Sequence, residues 1–221
     1  MTYFAIIGDI VDSKELSERR RHQKELQDCL DVINQTYSSV IASKFSITLG
    51  DEFQGLLSLD APIFHIIDII RFSLPSINLR FGVGQGEILT EINPDLSIGA
   101  DGPAYWLARE AITYVHQKND YGNTQVCVRL ADKEAQEIIN SLISASEAIK
   151  SNWRESQASL LHALLDIGTY EEHFDQQELG NRVSLTSSAL SKRLKSSNLK
   201  VYLRSRNSAL HLMSSCVREV I

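Results

Sequence analysis

Two aspartates stand where apolar chain would otherwise run on. Asp9 interrupts Phe4-Ala5-Ile6-Ile7-Gly8 and Ile10-Val11, and Asp12 follows. Asp51 sits between Gly50 and Glu52, inside an apolar stretch that runs from Phe45 and Ile47 through Leu49 to Phe53 and Leu56-Leu57. That stretch, 45–57, reads as two short strands joined by a tight turn, with Gly50 supplying the permissive backbone. Side chains alternate faces along a strand, so only one of Asp51 and Glu52 looks into a given site. Asp9 inside an apolar strand needs a partner, and the expectation is that Asp9 and Asp51 meet. Two carboxylates at ~4 Å repel by about 4 kcal/mol at an effective dielectric near 20. Such a pair shares a proton or binds a cation. Mg2+ (or Mn2+) suits it, since that ion takes one or two carboxylates and fills its shell with phosphate oxygens and water. The plainer alternative is a solvated hairpin turn.

Near these carboxylates in chemistry, though not in sequence, is 79–88, which alternates apolar with small or polar residues and reads as a strand. Gly82, Gly84 and Gly86 leave one of its faces bare, suiting close approach of a ligand or of another backbone. Neither nucleotide fingerprint fits: Gly-x-Gly-x-Gly lacks the dinucleotide spacing, and Leu56-Leu57 stands where a phosphate loop needs Lys-Ser/Thr. The other stretch with chemistry is basic. Residues 182–206 carry seven Lys and Arg and no acid. Residues 1–150 hold 13 Lys and Arg against 21 Asp and Glu, a net of −8, whereas 151–221 hold 9 against 7, a net of +2. The split predicts two units, 1–150 and 151–221, the second facing a polyanion.

The elements that must position these residues follow from periodicity. After the strand at 3–11 and a polar lead-in (13–24), Leu26, Leu30, Ile33, Tyr37 and Val40 form one helical face. Asp60 can cap a helix carrying Ile63, Ile66, Ile67, Ile70 and Leu74, which Pro75 ends. Gly102-Pro103 starts a helix with Ala104, Ala108, Ala111, Ile112 and Val115 inward and Arg109 beside them. A short strand at 125–128 and a helix capped by Asp132 follow. The order β-α-β-β-α-β, then helix and strand, predicts an α+β fold, an antiparallel sheet with helices on one face. In the second unit Leu160, Leu161, Leu164 and Leu165 share a face. Asp175 and Thr186 cap two short helices around Gly180 and Leu185, the spacing of a helix-turn-helix. Ser187, Ser188, Ser191, Lys192 and Lys195 would face a DNA groove, with Arg182 and Arg193 near phosphates. A helical hairpin for protein contacts is the alternative. Residues 201–203 read either as a short strand, giving a winged unit, or as the lead into a last helix, 209–220.

Composition bounds the rest. The 221 residues are 43% hydrophobic and 23% charged, ordinary for a globular protein. No apolar run approaches the roughly 20 residues that cross a bilayer, and no basic-then-apolar leader opens the chain. Cys29, Cys127 and Cys216 are odd in number and far apart, which argues for reduced thiols and a cytoplasmic protein, and against a zinc site.

Asp9-Ile10-Val11, Leu49-Gly50-Asp51-Glu52-Phe53 and Arg80-x-Gly82-Val83-x-x-Gly86 resemble the class III nucleotidyl cyclase domain. The hairpin is also one residue from the GGDEF signature of diguanylate cyclases, which share a ferredoxin-like, palm-type sheet. Over its whole length the sequence is most similar to the SatD-type family of bacterial proteins. The cyclase resemblance implies that Asp9 and Asp51 hold metal ions binding a nucleoside triphosphate. By motif position it places the Ile10 carbonyl nearby, with Gly8, Gly50, Arg80, Gly82 and Gly86 around the nucleotide. It gives Arg109 the part of the arginine that steadies the transition state, while the asparagine expected four residues earlier is Tyr105. It also implies a homodimer, as does palindromic DNA reading. Two functions follow as expectations: a nucleotide- and Mg-responsive DNA-binding regulator, or an active cyclase or nucleotidyltransferase with a helical regulatory tail. A structural adaptor is the third.

Overall fold

Strand β1 (Thr2–Ile10) sets the layering, because its alternate residues are claimed by different partners. Phe4, Ile6 and Ile10 point into one apolar cluster, and Ala5 and Ile7 into another. The computed structural model describes residues 1–11, 19–48, 50–117 and 120–216. Asp12, Leu49 and the end of the last expected helix, 217–220, lie outside them. After β1 come α1 (Arg19–Thr36), the hairpin β2 (Ile41–Ile47) and β3 (Glu52–Leu57), then α2 (Ile63–Ser73) and β4 (Leu79–Glu87). Next are α3 (Pro103–His116), β5 (Val126–Arg129) and α4 (Lys133–Ser151). Four helices finish the chain: α5 (Glu155–Asp166), α6 (Gln176–Arg182), α7 (Ser187–Ser197) and α8 (Leu199–Ser215).

The five strands form one sheet in the order β2-β3-β1-β4-β5. β1 lies antiparallel between β3 and β4, but β5 runs parallel to β4. An all-antiparallel sheet with helices on one face is therefore corrected in two respects. The chain crosses from β4 to β5 through α3, a crossover that makes the two strands parallel. α3 also covers the face opposite α1 and α2, where Ala104, Tyr105, Ala108 and Ile112 meet Ala5, Ile7 and Leu56. The sheet is a middle layer, and the architecture is mixed α+β.

Gly82 and Gly84 explain how α3 comes so close. A Cβ on Gly82 would stand 2.4 Å from the Ala108 carbonyl oxygen, and one on Gly84 2.1 Å from that of Ala104. The bare strand face receives a helix backbone. On the other face the core is continuous. Leu26 and Leu30 of α1, Ile66 and Ile67 of α2, Ile139 of α4, Leu161 of α5 and Leu203 of α8 belong to one buried cluster. That cluster runs across the expected boundary at 150, and the buried Gln85 of β4 donates to the backbone oxygen of Met213 in α8 at 2.8 Å.

The helix stripes match the expected positions. Two local details differ. The N-cap of α2 is Pro62 with no side-chain cap, so Asp60 does not serve there. Residues 201–203 lie inside α8, which starts one residue after α7, with Asn198 left-handed between them (φ 52°). The helical unit has no wing among the described residues.

Candidate functional site

Asp9 ends β1 on the face covered by α3. In register, its cross-strand neighbours are Glu52 on β3 and Arg80 on β4. The Arg80 Nε–H donates to Asp9 Oδ1 at 2.8 Å, with the two side chains 13% and 17% exposed. Oppositely charged cross-strand pairs stabilise a sheet, so the partner Asp9 needs is Arg80. Burial pushes the Asp9 carboxyl above its ordinary 3.8 against the pull of Arg80, and His116 and Glu52 act on it through space. Glu52 is claimed as well. Arg109, from the middle of α3, clamps both its oxygens, with Nη2 to Oε1 at 2.8 Å, and Thr48 Oγ1 donates to Oε1 at 3.2 Å. Two ion pairs, Arg109–Glu52 and Arg80–Asp9, thus lie side by side across three strands and a helix, with the two carboxylates adjacent.

The hairpin turn closes this end of the sheet. Gly50 is left-handed (φ 65°), and its carbonyl accepts from Gln23 Nε2 of α1 at 2.6 Å. The Asp51 carbonyl accepts from the Ile10 N–H at 3.1 Å, so the turn is stitched to the end of β1. Asp9 and Asp51 come from adjoining backbone, but the residue that shares the Asp9 face is Glu52. Among the described residues no group of three or more His, Cys, Asp or Glu side chains is placed to hold a metal ion. Asp9 Oδ2 has no hydrogen bond among those residues. The donor set therefore fits a divalent cation only when the ligand brings oxygens of its own, which is how Mg2+ is commonly held.

The second candidate surface is helical. Asp175 caps α6 by accepting from the N–H groups of Gln177 and Glu178, and Thr186 caps α7 by accepting from Ala189 N–H at 3.3 Å. The Leu185 N–H donates to the Gly180 carbonyl at 2.9 Å, folding the turn back on α6. A Cβ on Gly180 would lie 3.3 Å from the Leu185 oxygen, which is why a small residue sits there. Leu190 and Leu194 anchor α7 against the core. Ser187, Ser188, Ser191, Lys192 and Lys195 are exposed along its outer side, and Arg193 is half-buried.

The profile of the SatD family matches residues 3–213. The chain belongs to the SatD family. No curated protein matches it. Among solved structures, the catalytic core of a rhodopsin-guanylyl cyclase with converted specificity, in complex with ATPalphaS, is similar at 18% identity. That match covers 51% of this SatD chain and 71% of the other, with a TM-score of 0.38.

The SatD chain places its sequence-predicted residues unevenly. Asp9, Arg80 and Arg109 gather at one sheet end with Gly50 and Asp51 at its rim. Ile10 is buried, and Gly8 faces the other layer, where a Cβ would enter the Phe53 ring. Gly82 and Gly86 lie against the α3 backbone, so the space expected for a nucleotide there is taken. Tyr105, at the expected asparagine position, is a core residue 6% exposed. On the helical unit Arg182 is exposed and pairs with the exposed Asp166 at 2.8 Å. Of the seven basic residues in 182–206, Arg206 is fully buried and Arg204 meets Glu172. Sequence reasoning missed the roles of Glu52 and of Arg80 as the Asp9 partner. An acid and a base at matching depths of two strands, Asp9 and Arg80, was the available signal.

Proposed function

We propose that this SatD-family chain is a DNA-binding regulator, with α6 and α7 as its DNA contact and the sheet-end cluster as a nucleotide-responsive site. The observation that carries the reading is the outer side of α7. There three serine hydroxyls are followed along the helix by Lys192 and Lys195, and none of these side chains has an ion pair or hydrogen bond with a described residue. Lysines without acidic partners on an otherwise acidic molecule are suited to phosphates. Hydroxyls at the start of a capped helix are suited to base edges. A homodimer would set two such helices against a palindromic site.

At the sheet end, a nucleoside triphosphate with Mg2+ or Mn2+ would meet Asp9 on the site's face, with Glu52 beside it and Asp51 reaching in from the turn at the rim. The cation's chemistry there is charge neutralisation of the phosphates. Arg80 orients Asp9, and Arg109 would reach a phosphate after leaving Glu52. The binding reading is preferred over catalysis because Arg109 is held by Glu52 and Tyr105 is spent on packing. The test is fluorescence anisotropy of labelled duplexes from upstream of the protein's own operon, with and without Mn2+ and each nucleoside triphosphate. Binding that a nucleotide strengthens or weakens supports the whole reading. No binding to any duplex under any condition sinks it.

A further inference from the structure

On the sheet face away from the carboxylate cluster, α2, α4 and α8 meet through a buried ionic network. Asp68, fully buried, accepts from Lys150 Nζ at 2.9 Å, from the Tyr170 hydroxyl at 2.6 Å and from the Tyr202 hydroxyl at 2.5 Å. Glu147 is clamped by Arg71 at 2.8 and 3.1 Å and also takes Arg206. Three cations thus face two carboxylates, leaving one positive charge in excess. The tyrosines cannot balance it, because burial and the neighbouring Asp68 push both hydroxyls well above their ordinary range and keep them neutral. An unbalanced interior charge is expensive unless something pairs with it.

Arg206 is enclosed, its guanidinium lying 5.3 Å from the Phe64 ring centroid and 5.2 Å from that of Tyr202. Arg71, Lys150 and Glu147 instead reach a cleft of about 470 Å³, shared with Asn123, Gln125 and Ser151. Its size is that of small-molecule sites. Gln125 Oε1 is buried in its wall without a hydrogen-bond partner among the described residues. The Glu147 carboxylate is spent on two guanidiniums, so an entering anion meets net positive charge.

We propose that this cleft binds a phosphate-bearing small molecule, its phosphate seated between Arg71 and Lys150 and a hydroxyl donating to Gln125. Phosphate is the head group that fits, because two cations of different geometry converge and the orphaned acceptor can take a P–OH proton. The site lies on the opposite face of the sheet from Asp9 and does not depend on DNA binding.

The experiment titrates the full chain with inorganic phosphate at constant ionic strength and follows the melting temperature. Wild type should show a saturable rise. Phosphate also stabilises proteins generally through exclusion from their surface, and that part is linear and common to all variants. Lys150→Met removes the surplus charge and should keep only the linear part. Ser151→Glu, an exposed change at the rim, leaves the network intact and should weaken the saturable phase at least tenfold. The second variant decides the matter if the first does not fold. No saturable rise in wild type, or an equal one in Ser151→Glu, overturns the proposal.

Discussion

Glu147 and Asp68 make the molecule's stability depend on acid in a defined direction. Burial alone would raise the Glu147 carboxyl, but Arg71 and Arg206 outweigh it and hold it down at about 2 from an ordinary 4.5. Lys150 and Arg206 likewise hold Asp68 below the carboxylate range against its burial. A depressed folded-state value contributes stability that is present above the unfolded value and lost as pH falls through the folded one. Urea midpoints should therefore stay level down to about pH 5 and decline between roughly 4.5 and 2. Glu147→Gln strands Arg71 and Arg206 and should cost about 3–5 kcal/mol at pH 7 while shrinking the acid decline. An acid profile identical to wild type would contradict the network. At the other face, Mn2+ with a nucleoside triphosphate should raise the melting temperature, by ~2.7 kcal/mol of stability at 100 times the dissociation constant. Asp9→Asn should remove that rise, and Glu52→Gln should enlarge it by releasing Arg109. A Glu52→Gln variant that binds no better would mean that Arg109 takes no part. Asp9 was legible as an anomaly because an acid inside an apolar strand demands compensation. Its partner was not, since what sets Arg80 rather than Asp51 beside it is strand register.

Between elements, the closest fit in the structure is α3 on β4. Gly84→Ala would drive a methyl to 2.1 Å from the Ala104 carbonyl, where neither backbone can yield cheaply. Overpacking of that kind costs ~1–3 kcal/mol or more, read by chemical denaturation. Gly180→Ala should cost clearly less, because its nearest contact would be 3.3 Å and the turn can relax by tenths of an ångström. Equal losses at the two positions would contradict the packing argument. Thr186→Ala removes the cap of α7 and should cost ~1 kcal/mol. The helices and their inward stripes were readable from 3.6-residue periodicity, and the caps at Asp132, Asp175 and Thr186 from residue type. The alternating glycines announced a bare strand face without saying what would fill it. The direction of β5 was not readable, since four residues carry no mark of whether the preceding crossover returns parallel or antiparallel. The absent wing has a similar cause: Val201, Tyr202 and Leu203 suit a strand or a buried helix, and packing on α4 decides for the helix.

For the molecule as a whole, charge separates what burial unites. One apolar core spans the sheet and the C-terminal helices, yet the net of −8 lies before residue 151 and the net of +2 after it. The composition split was plain in the sequence. What it could not show is how far the basic side is already paired or buried, with Arg182 on Asp166, Arg204 on Glu172 and Arg206 inside. On the outer side of α7, Lys192 and Lys195 are exposed and have no ion pair with a described residue. No helix among the described residues is long and apolar enough to cross a membrane. The central claim is that this helix side meets DNA. It is tested most directly by the salt dependence of binding to duplexes from upstream of the protein's own operon, for wild type and for the Lys192→Ala/Lys195→Ala double variant. If both lysines meet phosphates, the double variant should bind every sequence more weakly, with a log–log salt slope shallower by about two. Wild type and variant binding with the same slope, or neither binding at low salt, would contradict it.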